Sequence, residues 1–221
     1  MENTNLEKAA VLIKAVRMAG CIQKTPGGME LVCTRISHDL IGNIGAVSNA
    51  VELLEEGDMD FMDDIRSILK VSSGVLTARL KFFRMAFGVD NANLEKLDLV
   101  EKTTADYLKT LGNVNYPISL TMRLSNWQLS KMAMLAVMIL ADTFIKGGNI
   151  EVREETGRLL ILAAGESRSA EKIGAVAAAV NGKLIERTAQ YAPVFYLQEL
   201  LSKFKLKLNI IEDKGFGLSI E

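Results

Sequence analysis

His38 is the only histidine in this chain of 221 residues, and it lies in a stretch with the pattern of a helix. When Gly28 to Glu56 is wound as an α-helix at about 100° per residue, His38 falls on the side away from the apolar stripe. The ordinary pKa of a histidine side chain is about 6.5, so much of the imidazole is neutral near neutral pH and can act as a nucleophile. The stretch therefore predicts a solvent-facing, nucleophilic imidazole.

The face that carries His38 combines polar side chains with two glycines, Gly42 and Gly45. By the same helical spacing it also holds Leu31, Thr34, Arg35, Ile41, Asn49, Glu52 and Glu56. Glycine costs about 1 kcal/mol in a helix interior, so its presence one and two turns after His38 needs a reason. Bare backbone beside the imidazole would let the surface of another protein come close. We therefore interpret this face as a docking groove.

Plainer interpretations compete with docking. A lone histidine is often a satisfied core residue, although the helical angle of His38 argues against burial. Gly42 and Gly45 could instead allow close packing of helices, but they lie on the face of the histidine and not on the apolar stripe. Arg35 and Glu52 could be ordinary solvated residues or could steer a partner. Docking is the favoured interpretation of the glycines.

The elements that must position His38 form a helical hairpin. The first helix carries an apolar stripe at helical spacing, made of Met29, Cys33, Ile36, Leu40, Ile44, Val47, Val51 and Leu54. A turn at Gly57-Asp58 leads to a second long helix from about Met59 to Phe87, which gives an antiparallel pair. One hairpin alone would leave half of each stripe in water. The pattern therefore predicts a four-helix bundle of two chains, with one exposed His38 per chain.

The rest of the chain mixes helical and strand patterns, which predicts an α+β fold whose second part is an α/β sandwich. Helices are expected at Leu97 to Leu111, Trp127 to Phe144, Ala170 to Asn181 and Thr188 to Phe204. Strands are expected at Ile118 to Met122, Asn149 to Arg153, Arg158 to Ala163, Leu206 to Ile211 and Phe216 to Ile220. The alternating run Lys203 to Lys207 is interpreted as an edge or half-exposed strand whose lysines prevent pairing with the edge of another sheet. Asp213-Lys214-Gly215 is interpreted as a hairpin turn.

These patterns predict a division of the chain into three parts. Residues 1–27 are expected to hold an extra amphipathic helix, from Leu6 to Cys21, and a linker. Residues 28–89 form the hairpin for dimerisation and histidine chemistry. Residues 90–221 form the α/β domain.

Composition limits the classes of function. The net charge is −1 and the chain has no basic cluster, which argues against nucleic acid as the main partner. The longest apolar run, Met132 to Ala141, is far shorter than the roughly 20 residues that span a bilayer. The first residues also lack the pattern of a signal peptide, so we expect a cytoplasmic protein. Cys21 and Cys33 have neither metal spacing nor the density of a disulfide scaffold, and Cys33 is expected to be buried.

Two motifs of the hairpin carry a family resemblance. The first is His38-Asp39-Leu40 followed by Gly45-Ala46-Val47-Ser48-Asn49 and Glu52-Leu53-Leu54. The second is Leu80-Lys81-Phe82-Phe83-Arg84-Met85-Ala86-Phe87-Gly88. With them, the chain resembles the ChpT-type bacterial histidine phosphotransferases, and the order of elements matches from about Gly28 onward. The family consists of dimeric relays with a hairpin like that of sensor kinases and a degenerate kinase-like ATPase domain.

The resemblance implies that His38 is the phosphoacceptor and Asp39 its polar neighbour. It also implies that the partners are receiver domains of a hybrid histidine kinase and of response regulators. The residues then expected to contact a receiver are Leu31, Thr34, Arg35, Ile41, Gly42, Gly45 and Asn49. No cofactor or metal ligand of its own is expected, because a receiver can bring its own Mg²⁺ and lysine. We hypothesise that Asp39 bonds the far ring nitrogen and fixes the tautomer of His38.

Two alternatives remain open beside the relay. An ATP-dependent histidine kinase core would need an Asn-bearing helix to hold Mg²⁺, and the helix from Trp127 to Phe144 contains no Asn. The stretch Asp213 to Ile220 resembles a late glycine box, but short glycine motifs are weak signals and a hairpin turn is preferred. A non-catalytic module that binds receivers is the other alternative.

Overall fold

The computed structural model describes residues 26–56, 61–89, 91–165, 167–183, 186–212 and 215–221. The predicted helix from Leu6 to Cys21 and the predicted turn at Gly57-Asp58 lie outside these residues. So do Asp213 and Lys214 of the predicted hairpin turn.

The described chain begins with two long helices and continues as alternating helices and strands. The helices are α1 (Gly28–Glu56), α2 (Met62–Phe87), α3 (Leu97–Lys109), α4 (Ser130–Ala141), α5 (Ala170–Val180) and α6 (Ala192–Lys203). The strands are β1 (Ile118–Arg123), β2 (Phe144–Lys146), β3 (Gly148–Glu155), β4 (Arg158–Ala164), β5 (Ser167–Arg168), β6 (Leu208–Ile211) and β7 (Phe216–Ile220). Short 3₁₀ helices, Trp127–Leu129 and Ala189–Tyr191, lead into α4 and α6.

The main sheet has five strands in the order β1-β3-β4-β7-β6. β1 and β3 are parallel, and the other neighbours are antiparallel. β6 and β7 pair with Ile211 opposite Gly217, so the glycine-rich stretch near Gly217 is strand and not a phosphate-binding loop. The predicted α+β architecture, a helical hairpin followed by an α/β region, is confirmed. The predicted two-chain bundle and the domain boundaries stay predictions.

Helix α4 lies at the centre of the core. Every residue from Met132 to Ala141 is buried, as expected for a helix that is apolar on all sides. It contacts α2, α3 and α6 as well as strands β3 and β4. Within the part of the chain that the structure describes, neither α4 nor any other helix combines the length and the apolarity that crossing a bilayer needs.

The predicted helix from Trp127 to Phe144 is too long at both ends. Its first turn is the 3₁₀ helix, and its α-helical part ends at Ala141. The Thr143 hydroxyl donates a hydrogen bond to the Leu140 carbonyl oxygen at 2.6 Å, and the Thr143 amide bonds the same oxygen. This tightened last turn ends the helix, and Phe144 begins strand β2.

The interpretation of Lys203 to Lys207 as a strand is wrong. Lys203 is the last residue of α6, and Lys205 has a φ of 59°, in the left-handed region. The amides of Phe204 and Leu206 both bond the carbonyl oxygen of Leu201, which closes the end of the helix. The edge strand β6 therefore begins only at Leu208.

The buried face of α1 is rotated from the predicted apolar stripe. Leu31, predicted as exposed, is only 5% exposed, because the first half of α1 packs on α6 and on the 3₁₀ helix Ala189–Tyr191. Cys33, predicted as buried, is exposed in the single chain, and so are Ile44 and Val51 of the same stripe. Tertiary contacts of the α/β region therefore decide which side of α1 is covered.

An aromatic stack joins the hairpin to the α/β region. The rings of Phe82 in α2 and Tyr107 in α3 are stacked, with centroids 3.9 Å apart. Tyr107 is fully buried, and none of the described residues offers a hydrogen-bond partner to its hydroxyl. Burial raises the pKa of this hydroxyl, and the negative charge of Asp142 raises it further.

We predict that Tyr107→Phe keeps the stack and raises the free energy of unfolding by about 1 kcal/mol, because it removes a buried hydroxyl without a partner. Phe82→Ala, the matched test of the stack itself, should lower it by about 3–5 kcal/mol. Chemical denaturation measures both. A clear loss of stability in Tyr107→Phe would show that the hydroxyl is satisfied in solution.

Candidate functional site

His38 lies in the first half of α1 and points into solvent. Its side chain is 83% exposed, as the helical spacing predicts. Nδ1 of the ring lies 3.3 Å from Oδ1 of Asp39, the next residue along the helix. The carboxylate therefore approaches one ring nitrogen, and Nε2 on the other side of the ring is the nitrogen that a partner would meet.

Arg35, one turn before His38, is buried and not solvated. Its Nε donates to Oδ2 of Asp39 at 2.7 Å. Its Nη1 and Nη2 donate to the two carboxylate oxygens of Asp142, at 2.8 and 3.0 Å, and Nη1 also donates to the carbonyl oxygen of Gln190. The guanidinium of Arg35 is enclosed by groups of its own fold, and the expected contact of Arg35 with a partner stays a prediction.

The charges around Arg35 compensate its burial. Burial by itself lowers the pKa of a guanidinium, but the negative charges of Asp142 and Asp39 and the hydrogen bond to Asp142 raise the pKa of Arg35 above its ordinary value. The side chains of Arg35 and Asp39 are only 10% and 13% exposed, so water screens this pair weakly. Arg35 is thus a permanently charged link between the histidine helix and the α/β region.

A second arginine fixes the backbone of the same turn. Arg79 of α2 donates from Nη1 to the backbone carbonyl oxygen of Asp39. Its other nitrogens donate to the hydroxyl and the carbonyl oxygen of Thr110, directly after α3, at 3.1 and 3.2 Å. The turn that carries Asp39 is therefore held by a side-chain anchor on Arg35 and a backbone anchor on Arg79.

The residues predicted to contact a partner fall into two groups. Thr34, Ile41, Gly42 and Asn49 are exposed and Gly45 is half-buried, and they flank His38 on one side of α1. Leu31 lies with Arg35 on the covered side of the single chain, and its expected contact with a partner stays a prediction. We call the five accessible residues and His38 the histidine ribbon.

The two glycines of the histidine ribbon face open space. A Cβ atom added to Gly42 or Gly45 would meet no heavy atom of the described chain within 4 Å beyond the backbone of its own turns. Packing inside this chain therefore does not require glycine at either position. The alternative that they allow close helix packing within one chain finds no support.

Sequence reasoning missed Asp142, Arg79 and the carbonyl oxygen of Gln190. Asp142 is 107 residues from Arg35 along the chain, and no local pattern pairs them. Periodicity places Arg35 near His38 but does not show which residues cover Arg35. Among the residues that the structure describes, no group of three or more His, Cys, Asp or Glu side chains could hold a metal ion.

An exposed histidine on a helical hairpin, with a carboxylate near Nδ1, is an arrangement suited to phosphoryl transfer through the ring. The chain belongs to the histidine phosphotransferase family. The family model of the histidine phosphotransferase C-terminal domain matches residues 100–215, which is more than half of the chain.

Two known proteins are similar to parts of the chain or to its fold. A segment of 58 residues is 48% identical to the protein phosphotransferase ChpT of Brucella abortus (strain 2308), and it covers 26% of this chain and 27% of that protein. The match thus spans only about a quarter of the curated relative's length. A bacterial phosphotransferase solved at 1.7 Å shares the fold, with a TM-score of 0.67 and 24% identity over 86% of this chain and 94% of that one.

Proposed function

We propose that this chain is a cytoplasmic histidine phosphotransferase of a bacterial two-component phosphorelay. It takes a phosphoryl group from the aspartate of a receiver domain onto His38 and passes it to a response regulator. The observation that carries the proposal is the geometry of His38, whose side chain is 83% exposed with a carboxylate 3.3 Å from Nδ1. Family membership supports the reaction class.

The chemistry follows from that geometry. The neutral ring, with its proton on Nδ1, attacks the phosphorus of an aspartyl phosphate through the lone pair of Nε2. The bond between phosphorus and the aspartate oxygen breaks, and its electron pair stays on the receiver carboxylate. The ring gains positive charge as the new N–P bond forms. Asp39 stabilises this charge because its carboxylate accepts the hydrogen bond from Nδ1. Transfer to the next receiver runs the same step in reverse.

The protein supplies position and charge, and the receiver brings Mg²⁺ and its own lysine in this proposal. The histidine ribbon is the surface that a receiver covers, since its accessible residues lie on the same side of α1 as His38. Gly42 and Gly45 let the receiver backbone approach the helix closely.

We predict that His38→Ala abolishes acceptance of phosphate while receiver binding survives, because the ribbon loses only the nucleophile. The measurement is transfer of label from a phosphorylated receiver to the purified protein, analysed as an acid-labile, base-stable adduct. Receiver binding by calorimetry is the matched control.

A parallel incubation with labelled ATP separates the alternatives. The proposal expects no label from ATP. Label from ATP on the wild type would favour a histidine kinase core. Binding of a receiver without transfer to the wild type would favour a non-catalytic module.

The glycines of the ribbon give a second prediction. Gly42→Ala should raise the free energy of unfolding by about 1 kcal/mol, because alanine suits a helix interior better than glycine and meets no neighbour there. It should nonetheless slow transfer roughly tenfold, because an extra methyl group in a close contact costs about 1 to 3 kcal/mol. Transfer reactions quenched at successive times measure the rate of phosphotransfer, and chemical denaturation measures the free energy of unfolding.

Gly174→Ala in α5 is the matched control, since its added Cβ also meets nothing within 4 Å. It should stabilise the protein to a similar degree and leave transfer unchanged. Equal transfer rates for wild type and Gly42→Ala would count against docking at the ribbon.

We also propose that two chains associate through the outer face of the hairpin. In the single chain, large apolar residues stay exposed along both helices, among them Ile44, Val51, Leu54, Ile68 and Val71. Single exposed apolar residues are common on protein surfaces, but a row along two adjacent helices is typical of an interface. A second hairpin placed side by side would bury this row and complete a four-helix bundle.

The expected result of Ile44→Asp is dissociation into monomers, because a carboxylate would be buried at the seam. Ile145→Asp, at an apolar residue of β2 that is also exposed, is the control and should stay a dimer. Sedimentation velocity at several concentrations distinguishes the two states. A monomeric wild type at micromolar concentration would rule the bundle out.

A further inference from the structure

Arg35 divides its hydrogen-bond donors unequally between two carboxylates. Asp142 receives both Nη groups, at 2.8 and 3.0 Å, whereas Asp39 receives only Nε, at 2.7 Å on Oδ2. Oδ1 of Asp39 is thereby left to face Nδ1 of His38 at 3.3 Å. The contact between Asp39 and the histidine thus depends on where the Nη groups of Arg35 are engaged.

The groups that engage Arg35 come from the α/β region. Asp142 directly follows α4, the helix at the centre of the core, and Gln190 lies in the 3₁₀ helix before α6. Both are held by packed elements, so they fix the plane of the guanidinium from outside the hairpin. Side-chain exposure of 10% for Arg35 and 22% for Asp142 means that water competes little for these bonds.

We propose that Asp142 and Arg35 are positioning residues for phosphotransfer. By engaging both Nη groups of Arg35, Asp142 leaves Oδ1 of Asp39 on Nδ1 of His38, which keeps the ring proton on Nδ1 and the reactive lone pair on Nε2. The expected effect on the rate of phosphotransfer rests on the proposed function. The position of the ring proton of His38 can be measured without any transfer.

The preference of arginine for paired contacts explains why Asp142 is needed. A guanidinium offers a fork of parallel N–H groups, and carboxylates bind such a fork with both oxygens. With Asp142 neutralised, the Nη2 group is free to join Nε in a fork to Asp39. Oδ1 then turns from His38 to Arg35. A neutral imidazole without a partner at Nδ1 favours the tautomer with the proton on Nε2, which has no lone pair there to attack phosphorus.

Asp142→Asn in the full chain tests the inference, because it removes the charge and keeps the size of the side chain. Ring ¹⁵N shifts of His38 are recorded at alkaline pH, where the ring is neutral, and transfer from a phosphorylated receiver is timed in parallel. The wild type should show a protonated Nδ1 and an unprotonated Nε2. In Asp142→Asn the tautomer should shift toward Nε2–H, and transfer should slow roughly tenfold or more.

Three further variants separate positioning from a merely structural role. Asp142→Ser also leaves the Nη groups of Arg35 without a carboxylate, so it should shift the tautomer in the same direction, and it provides a second test if Asp142→Asn folds poorly. Asp142→Glu keeps the carboxylate and should retain the wild-type tautomer. Asp63→Asn breaks an exposed ion pair with Arg66 in α2 and should change neither readout.

An unchanged tautomer in both Asp142→Asn and Asp142→Ser overturns the inference, whether transfer slows or not. Slower transfer without a change of tautomer would reflect docking or stability. A shifted tautomer with slower transfer supports it. A shifted tautomer in a protein whose wild type accepts no phosphate from any receiver supports the positioning claim and overturns the proposed function.

Discussion

The buried charge of Arg35 is the constraint on which the geometry of the site depends. A buried guanidinium costs several kcal/mol unless its donors are paired, and here two carboxylates and one carbonyl oxygen pair them. A buried ion cluster is weak evidence for stability, and we propose that this one selects a single placement of α1 against Asp142. A slip of α1 by one residue would turn Arg35 about 100° away from its partners and leave charges buried alone. The position of His38 follows from that placement.

Helix α1 therefore presents three different sides. One side, with Leu31 and Arg35, packs on the α/β region. A second side, with Ile44 and Val51, stays apolar and exposed, and the proposed second chain covers it. The third side is the histidine ribbon around His38, which neither contact covers. The α/β region holds the helix, the dimer seam would orient it, and the remaining surface is left for a receiver. Arg35 connects the α/β region to Asp39, the residue beside His38.

Much of this arrangement could be predicted from local pattern. Helical periodicity places the hairpin, the exposure of His38 and the open glycines, because these follow from the spacing of residues within one element. The five strands of the main sheet were predicted within a few residues for the same reason, whereas the short strands β2 and β5 were not predicted. The side of α1 that is buried could not be predicted, because it depends on Asp142, 107 residues beyond Arg35. Leu31, Cys33 and Arg35 were misassigned together by one rotation of the helix. The early end of α4 has another cause, since the hydroxyl of Thr143 competes with the helical hydrogen-bond pattern.

If the proposed function is correct, His38 reacts through Nε2 while Asp39 holds Nδ1. The most direct test is ¹H–³¹P and ¹⁵N NMR of the protein after phosphorylation with phosphoramidate, a small donor that removes the choice of receiver. We expect one phosphohistidine at His38, with phosphorus bonded to Nε2 and a proton on Nδ1. Phosphorus on Nδ1, or on another residue while His38 stays unmodified, would contradict it.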